Sequence, residues 1–185
     1  MPAKRSRHGA RIHAIALLAA LWPYTDAPAQ QRTPTPESGI GVWYQPDAPL
    51  TQELWRPGDA GERLLLRARV LDTAGMPVAD ARVEIWHADA HGQVHAERYR
   101  ATLISDREGR VRVSTVLPGY IWGPRHIHVV VTHRQHARLI TRLFFKRDPV
   151  VRETDRPDLA IILEDGRHQG APALFGDIEL VLRPR

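Results

Sequence analysis

Cysteine is absent from this 185-residue chain. Disulfide staples, thiolate zinc sites, c-type haem attachment and cysteine nucleophiles are thereby excluded. Tyrosine is scarce, with only Tyr44, Tyr99 and Tyr120 beyond the first 29 residues. The apolar run at 12–22, interrupted by His13, is about half of what a bilayer-spanning helix needs. No Ser-His-Asp arrangement or glycine-rich phosphate loop stands out. A basic surface for nucleic acid is also missing once the first residues are set aside. The whole chain has 26 basic and 21 acidic residues, whereas residues 30–185 carry 22 and 20, a net charge of +2. No nucleic-acid partner is expected.

The opening residues explain that difference. Lys4, Arg5, Arg7 and Arg11 precede the apolar run without any acid, and Ala27-Pro28-Ala29 offers a small-x-small cleavage site before Gln30. Residues 1–29 read as a secretory signal peptide. The expected destination is the periplasm or the extracellular space, with no stable membrane insertion after the leader is removed. No cysteine supports lipoprotein processing, and no adjacent arginines support twin-arginine export.

Residues 30–185 fit one domain with a real core. Residues 30–61 are rich in Pro, Thr, Gln and Asp, with Trp43, Tyr44 and Trp55 scattered among them. They read as an extended N-terminal arm packed down by its aromatics. From Arg63 onward the apolar residues alternate in short runs, at 64–71, 81–86, 110–116, 126–131, 140–145, 161–163 and 178–182. Turn chemistry separates them, as in Asp72-Thr73-Ala74-Gly75-Met76-Pro77 and Asp106-Arg107-Glu108-Gly109. About seven short strands with no long helix predict an antiparallel β-sandwich.

His126-Ile127-His128 is the most informative stretch. The β-branched residues that follow make it a strand. Side chains at i and i+2 then share a face, so the imidazoles lie opposite Ile127, Val129 and Val131. By strand rise the two histidines are about 7 Å apart at Cα, close enough to converge on one metal ion. Pro118-Gly119 turns the chain so that the Tyr120 phenol can swing over the same point. Two nitrogens and a phenolate suit a hard, oxidised ion such as Fe(III), whereas zinc more often takes histidine with carboxylate. The plainer alternative is two polar residues on the wet face of a strand. His87, His91 and His95, at spacing four, form a zinc-binding face only on a helix, and Asp89 and Gly92 favour a turn there.

Several blocks in order resemble the intradiol ring-cleavage dioxygenases, the family of catechol, hydroxyquinol and protocatechuate dioxygenases. They are Gly75-Met76-Pro77-Val78 with Ala81-Arg82-Val83-Glu84-Ile85-Trp86, Trp86-His87-Ala88-Asp89-Ala90-His91-Gly92, Thr115-Val116-Leu117-Pro118-Gly119-Tyr120, Pro124-Arg125-His126-Ile127-His128, and Ile140-Thr141-Arg142-Leu143-Phe144-Phe145. The resemblance covers roughly 64–149. It implies a β-sandwich holding mononuclear non-haem Fe(III), with catechol bound in chelate and O2 inserted between the hydroxylated carbons. It also implies two tyrosine and two histidine ligands. His126, His128 and the displaceable Tyr120 match three of them.

Three positions depart from the family pattern. Val94 stands where the other tyrosine ligand is expected, and among His91, His95 and Tyr99 the expected replacement is Tyr99. Its alternative role is a half-buried strand aromatic. Gly123 stands where an arginine is usual, with Arg125 beside the first histidine instead. Arg142 replaces a glutamine and is expected to balance a dianionic catecholate. The resulting expectation is an exported catechol-cleaving dioxygenase. The alternatives are a non-catalytic secreted binding module of the prealbumin-like type, which shares the Gly-x-Pro-Val entry, and a zinc- or copper-binding protein.

Overall fold

The computed structural model describes residues 31–41, 43–146, 148–150 and 159–185. The expected leader at 1–29 lies outside the described residues. Nine strands follow in order: β1 (Arg63–Asp72), β2 (Arg82–Trp86), β3 (Arg100–Ile104), β4 (Arg110–Val116), β5 (His126–His133), β6 (His136–Phe145), β7 (Ala160–Ile161), β8 (Leu163–His168) and β9 (Ala171–Leu182). No α-helix occurs among the described residues.

The strands form two sheets, ordered β4-β1-β9-β8 and β3-β2-β5-β6-β7. Their inner faces follow the two-residue period of the sequence. Leu64, Leu66 and Val70 of β1, Val111 and Val113 of β4, Val83 and Ile85 of β2, and Ile127, Val129 and Val131 of β5 meet in one core. Arg67, Arg69, Arg110 and Arg112 alternate with them and face solvent. The all-β sandwich is as expected, but its sheets are mixed. Most neighbours are antiparallel, whereas β1 pairs parallel with β9 and β6 parallel with β7. The last strand returns beside the first in the same direction, and local periodicity carries no sign of such long-range pairing.

The arm crosses both sheets, held by its backbone more than by its aromatics. Thr35 N–H donates to Val181 O, Ser38 N–H to Ile140 O, Thr102 N–H to Pro49 O and Leu54 N–H to Ser114 O, all at 2.8–2.9 Å. Its middle part lies over the outer face of the five-stranded sheet, where Tyr44 packs on Trp86 with ring centroids 5.1 Å apart. That outer face is the one carrying His126 and His128. The arm therefore makes a roof over residues that an isolated sheet would expose to water.

The two faces of β5 should respond differently to truncation. Ile127 is fully buried, so Ile127→Ala should destabilise the fold by about 3 kcal/mol. His126→Ala, on the roofed face, should cost well under half of that. Urea denaturation of both variants checks the assignment of core and site faces.

Candidate metal centre

The site rests on a cross-strand row. β2, β5 and β6 pair in a register that puts Trp86 beside His128 and His128 beside Arg142. The Trp86 and His128 rings stack with centroids 4.8 Å apart and planes 3° from parallel. His126, two residues back on the same face, lies beside Phe144. The arm closes the row from above through Gly41, whose φ of +84° suits glycine. A Cβ there would lie 2.6 Å from His128 Cε1, so the arm approaches this closely only without a side chain.

The imidazoles converge. His126 Nε2 and His128 Nε2 are 3.1 Å apart. His126 Nδ1 lies 2.8 Å from Pro124 O, so Nδ1–H donates to that carbonyl and the Nε2 lone pair faces His128. Two metal–nitrogen bonds of about 2.1 Å at near right angles would set their nitrogens about 3 Å apart. Burial holds His126 below the usual histidine pKa, despite its bond to Pro124 O, and the charge of Arg142 adds to the lowering. Burial pushes His128 down to about 3, with His126 and Arg142 adding to it. Both rings are neutral near pH 7, the form a metal requires.

Buried side-chain nitrogens without a protein partner gather here. Among the described residues they are Trp86 Nε1, His128 Nδ1, Arg142 Nε and Arg125 Nε. Three of the four belong to the Trp86–His128–Arg142 row. Unpaired buried polar atoms are rare elsewhere in folded proteins and point to a functional demand. The donor set, the tautomer of His126 and the spacing of the two nitrogens fit a bound metal ion. Among the described residues, no cluster of three or more His, Cys, Asp or Glu surrounds such an ion.

The cleft beside the pair is lined by Trp43, Trp86, His87, Ala88, Val94, Gly119, Ile121, His126 and His128. Its two loops meet at Gly92 and Gly119, where Gly119 N–H donates to Asp89 O at 2.8 Å. A Cβ on Gly92, which has φ +81°, would lie 2.2 Å from Tyr120 O. The approach of the loops that wall the cleft thus depends on these glycines.

The other expected site residues are placed as follows. Tyr120 stands between cleft-lining Gly119 and Ile121, but its ring lies under the Arg125 guanidinium, 4.6 Å from centroid to Cζ. It is 41% exposed and does not line the cleft. Arg125 therefore contacts the phenol rather than the imidazoles, and its backbone N–H is held by Asp148. Arg142 is brought to the histidines by register. Val94 lines the cleft where the missing phenol was expected.

Tyr99 is not brought to the pair. It precedes β3 with a left-handed φ of +54°, and its buried ring packs on His87 and His95. Burial, reinforced by Asp59, raises its pKa, which opposes the phenolate a ligand would need. β3 begins only at Arg100, so Tyr99 stands just outside the strand. His87, His91 and His95 form no common face, because residues 89–93 make a turn closed by Asp89 Oδ1.

Trp43 and Trp86 were not among the expected site residues. Trp86 becomes legible once β2 is paired with β5. Nothing local in the sequence reports the docking of Trp43, which depends on the arm.

A family profile described as "Dioxygenase" matches residues 41–122. The protocatechuate 3,4-dioxygenase beta chain of Burkholderia cepacia is 35% identical over 127 residues, 57% of this chain and 54% of that one. Catechol 1,2-dioxygenase of a Pseudomonas strain is 31% identical over 182 residues, 80% of this chain and 60% of its own. The chain thus spans little more than half the length of these relatives. Among solved structures, the dioxygenase domain of a carbohydrate-binding fusion protein from Streptomyces superposes with TM-score 0.71 at 25% identity, covering 82% of this chain and 99% of that domain. A 3-chlorocatechol 1,2-dioxygenase from Rhodococcus opacus shares the fold, with TM-score 0.75 at 22% identity over 85% and 76% of the two chains. The chain is similar to the intradiol dioxygenases in sequence and in fold.

His87 gives the pH dependence of this region. Its Nδ1–H donates to Ala88 O at 2.7 Å and its Nε2 accepts from Thr115 Oγ1 at 2.9 Å, so the neutral ring is fully satisfied. Burial pushes its pKa down to about 4. Below about pH 6.5 the unfolded chain takes up a proton that the folded chain refuses, so stability falls as pH drops from 6.5 toward 4. A group fully protonated only in the unfolded chain contributes a slope of about 1.4 kcal/mol per pH unit. Denaturation at pH 7.0, 5.5 and 4.5 should show that fall, and His87→Gln should make it shallower while leaving the part that buried His126 and His128 contribute.

Proposed function

We propose that this protein is an Fe(III)-dependent ring-cleaving dioxygenase that opens a catecholic aromatic with O2 between its hydroxylated carbons. The observation that carries this reading is the convergence of His126 Nε2 and His128 Nε2 in a roofed, largely apolar cleft. Together with the likeness to intradiol dioxygenases, it supports a metal site over a wet pair of strand histidines. His126, His128 and Tyr120 would hold the iron. When bound, the ferric ion would acidify the catechol hydroxyls and supply the Lewis-acid and redox character that O2 chemistry needs.

The protein's own residues do the rest. Pro124 O keeps the His126 proton on Nδ1, and the Trp86 stack fixes the plane of His128, so the His126 Nε2 lone pair and the His128 ring are oriented before any ligand arrives. Trp86, Ala88, Val94 and Ile121 give the catechol ring apolar walls and displace water. Arg142, beside both histidines, favours a catecholate over a neutral catechol. Two hydroxyl protons must leave the substrate; if Tyr120 holds the iron as a phenolate, its Oη would take one of them and the other would pass to solvent. Tyr120 would have to leave its place under Arg125 to do so. Val94 leaves the site one anionic side chain short, and Arg142 adds positive charge. Both should weaken Fe(III) retention relative to a site with two tyrosinates.

Residues 1–29 are read as a leader that exports the chain, and residues 30–185 as the mature domain. Intact mass of the exported protein should place its N-terminus near Gln30, and retention of Met1 would overturn that assignment.

Metal analysis and visible spectroscopy test the centre. The iron-loaded protein should show a tyrosinate charge-transfer band and consume O2 with catechol. His126→Ala and His128→Ala should each lose at least tenfold in iron affinity while staying folded. Tyr120→Phe should bleach the band and cut turnover at least tenfold, yet retain part of the iron. An intact band in Tyr120→Phe would remove Tyr120 from the site.

A further inference from the structure

Trp122 is anomalous in three ways. It is 90% exposed, a costly position for the largest apolar side chain. Its backbone is left-handed, with φ +46°, a conformation that bulky residues rarely adopt and that concentrates at functional sites. Its indole also stacks on Trp43, with centroids 5.2 Å apart and planes 28° from parallel. Trp43 lines the histidine cleft, and Ile121, the residue before Trp122, lines it too. The stacked pair is therefore a rim of that cleft.

The space around this rim lies mainly in a second groove, of about 240 Å³ against about 10 Å³ for the cleft itself. This groove, lined in part by Trp43, Trp86, His87 and Val94, adjoins the cleft and shares those four residues with it. Val94 is 37% exposed at the junction. A valine there occupies less space than the phenol expected by family resemblance, and it is one of the residues that separate the two spaces.

We propose that the Trp43–Trp122 pair is an aromatic shelf that selects catechols bearing a second aryl ring, the catechol entering the His126/His128 cleft and the second ring packing on the indoles. This inference rests on the catechol reading of the cleft. Two indoles already stacked present a rigid aromatic face, and ring-on-ring packing adds to the apolar area that a second ring buries. The strain and exposure at Trp122 then have a purpose, since glycine at the same position would remove both. A shelf serving only to fasten the arm would gain nothing from leaving an indole 90% exposed.

The test uses the iron-loaded protein with catechol and 4-phenylcatechol. Anaerobic titration calorimetry gives the affinities without turnover, and oxygen uptake gives the kcat/KM ratio. Wild type should bind 4-phenylcatechol about tenfold more tightly than catechol, with a similar preference in kcat/KM. Trp122→Ala should abolish the preference and Trp122→Phe should keep most of it. Trp122→Gly should abolish it while raising the melting temperature, because the backbone strain is relieved. No preference in wild type, or the same preference in Trp122→Ala, overturns the shelf even if catechol is turned over normally. A Trp122-dependent preference in binding without O2 uptake on either compound would instead overturn the dioxygenase reading and leave the shelf standing. Failure of both compounds to bind overturns both.

Discussion

The two-residue period of β5, held in register between β2 and β6, is the constraint on which the site depends. It sends Ile127, Val129 and Val131 into the core and His126 and His128 to the opposite face. A slip of one residue would exchange the two sets. The core would then receive imidazoles, and the site would receive aliphatic groups that bind no metal. Burial of the aliphatic set thus anchors the histidines. The same register sets Trp86 and Arg142 on either side of His128.

The second requirement is the roof. A sheet face carrying two histidines would ordinarily be wet, and its imidazoles would titrate near their usual pKa. The arm changes this through Gly41 and Tyr44, which close on His128 and Trp86. Burial then keeps both rings neutral with their lone pairs available. Arg142 opposes protonation of the pair as well, and its charge suits an anionic ligand better than a neutral one. The buried nitrogens left unpaired on Trp86, His128 and Arg142 mark this as a place where the fold gives up some internal satisfaction.

What the sequence discloses divides along local and non-local lines. The sandwich and the shared face of His126 and His128 follow from alternation, which is local and unambiguous. Tyr99 lies away from the histidine pair because it precedes β3, which starts at Arg100, and with φ +54° its ring packs on His87 and His95. Arg125 was expected as a catalytic group, but it reaches Tyr120 rather than the histidines, as its position one residue before His126 allows. The parallel pairing of β1 with β9 and the docking of Trp43 join residues far apart in the chain. No window of sequence reports either. Arg142 lies beside His128 because the register of β6 with β5 puts it there.

The central claim is that one iron atom sits between His126 and His128. An anomalous difference map from crystals of the iron-loaded protein, collected on both sides of the iron absorption edge, tests it most directly. The account predicts a single iron peak within bonding distance of both Nε2 atoms, about 2.1 Å for metal–imidazole bonds, with the apolar walls of Trp86, Val94 and Ile121 beside it. An iron peak elsewhere, or an iron-replete crystal in which the two Nε2 atoms remain bonded only to each other, would contradict it.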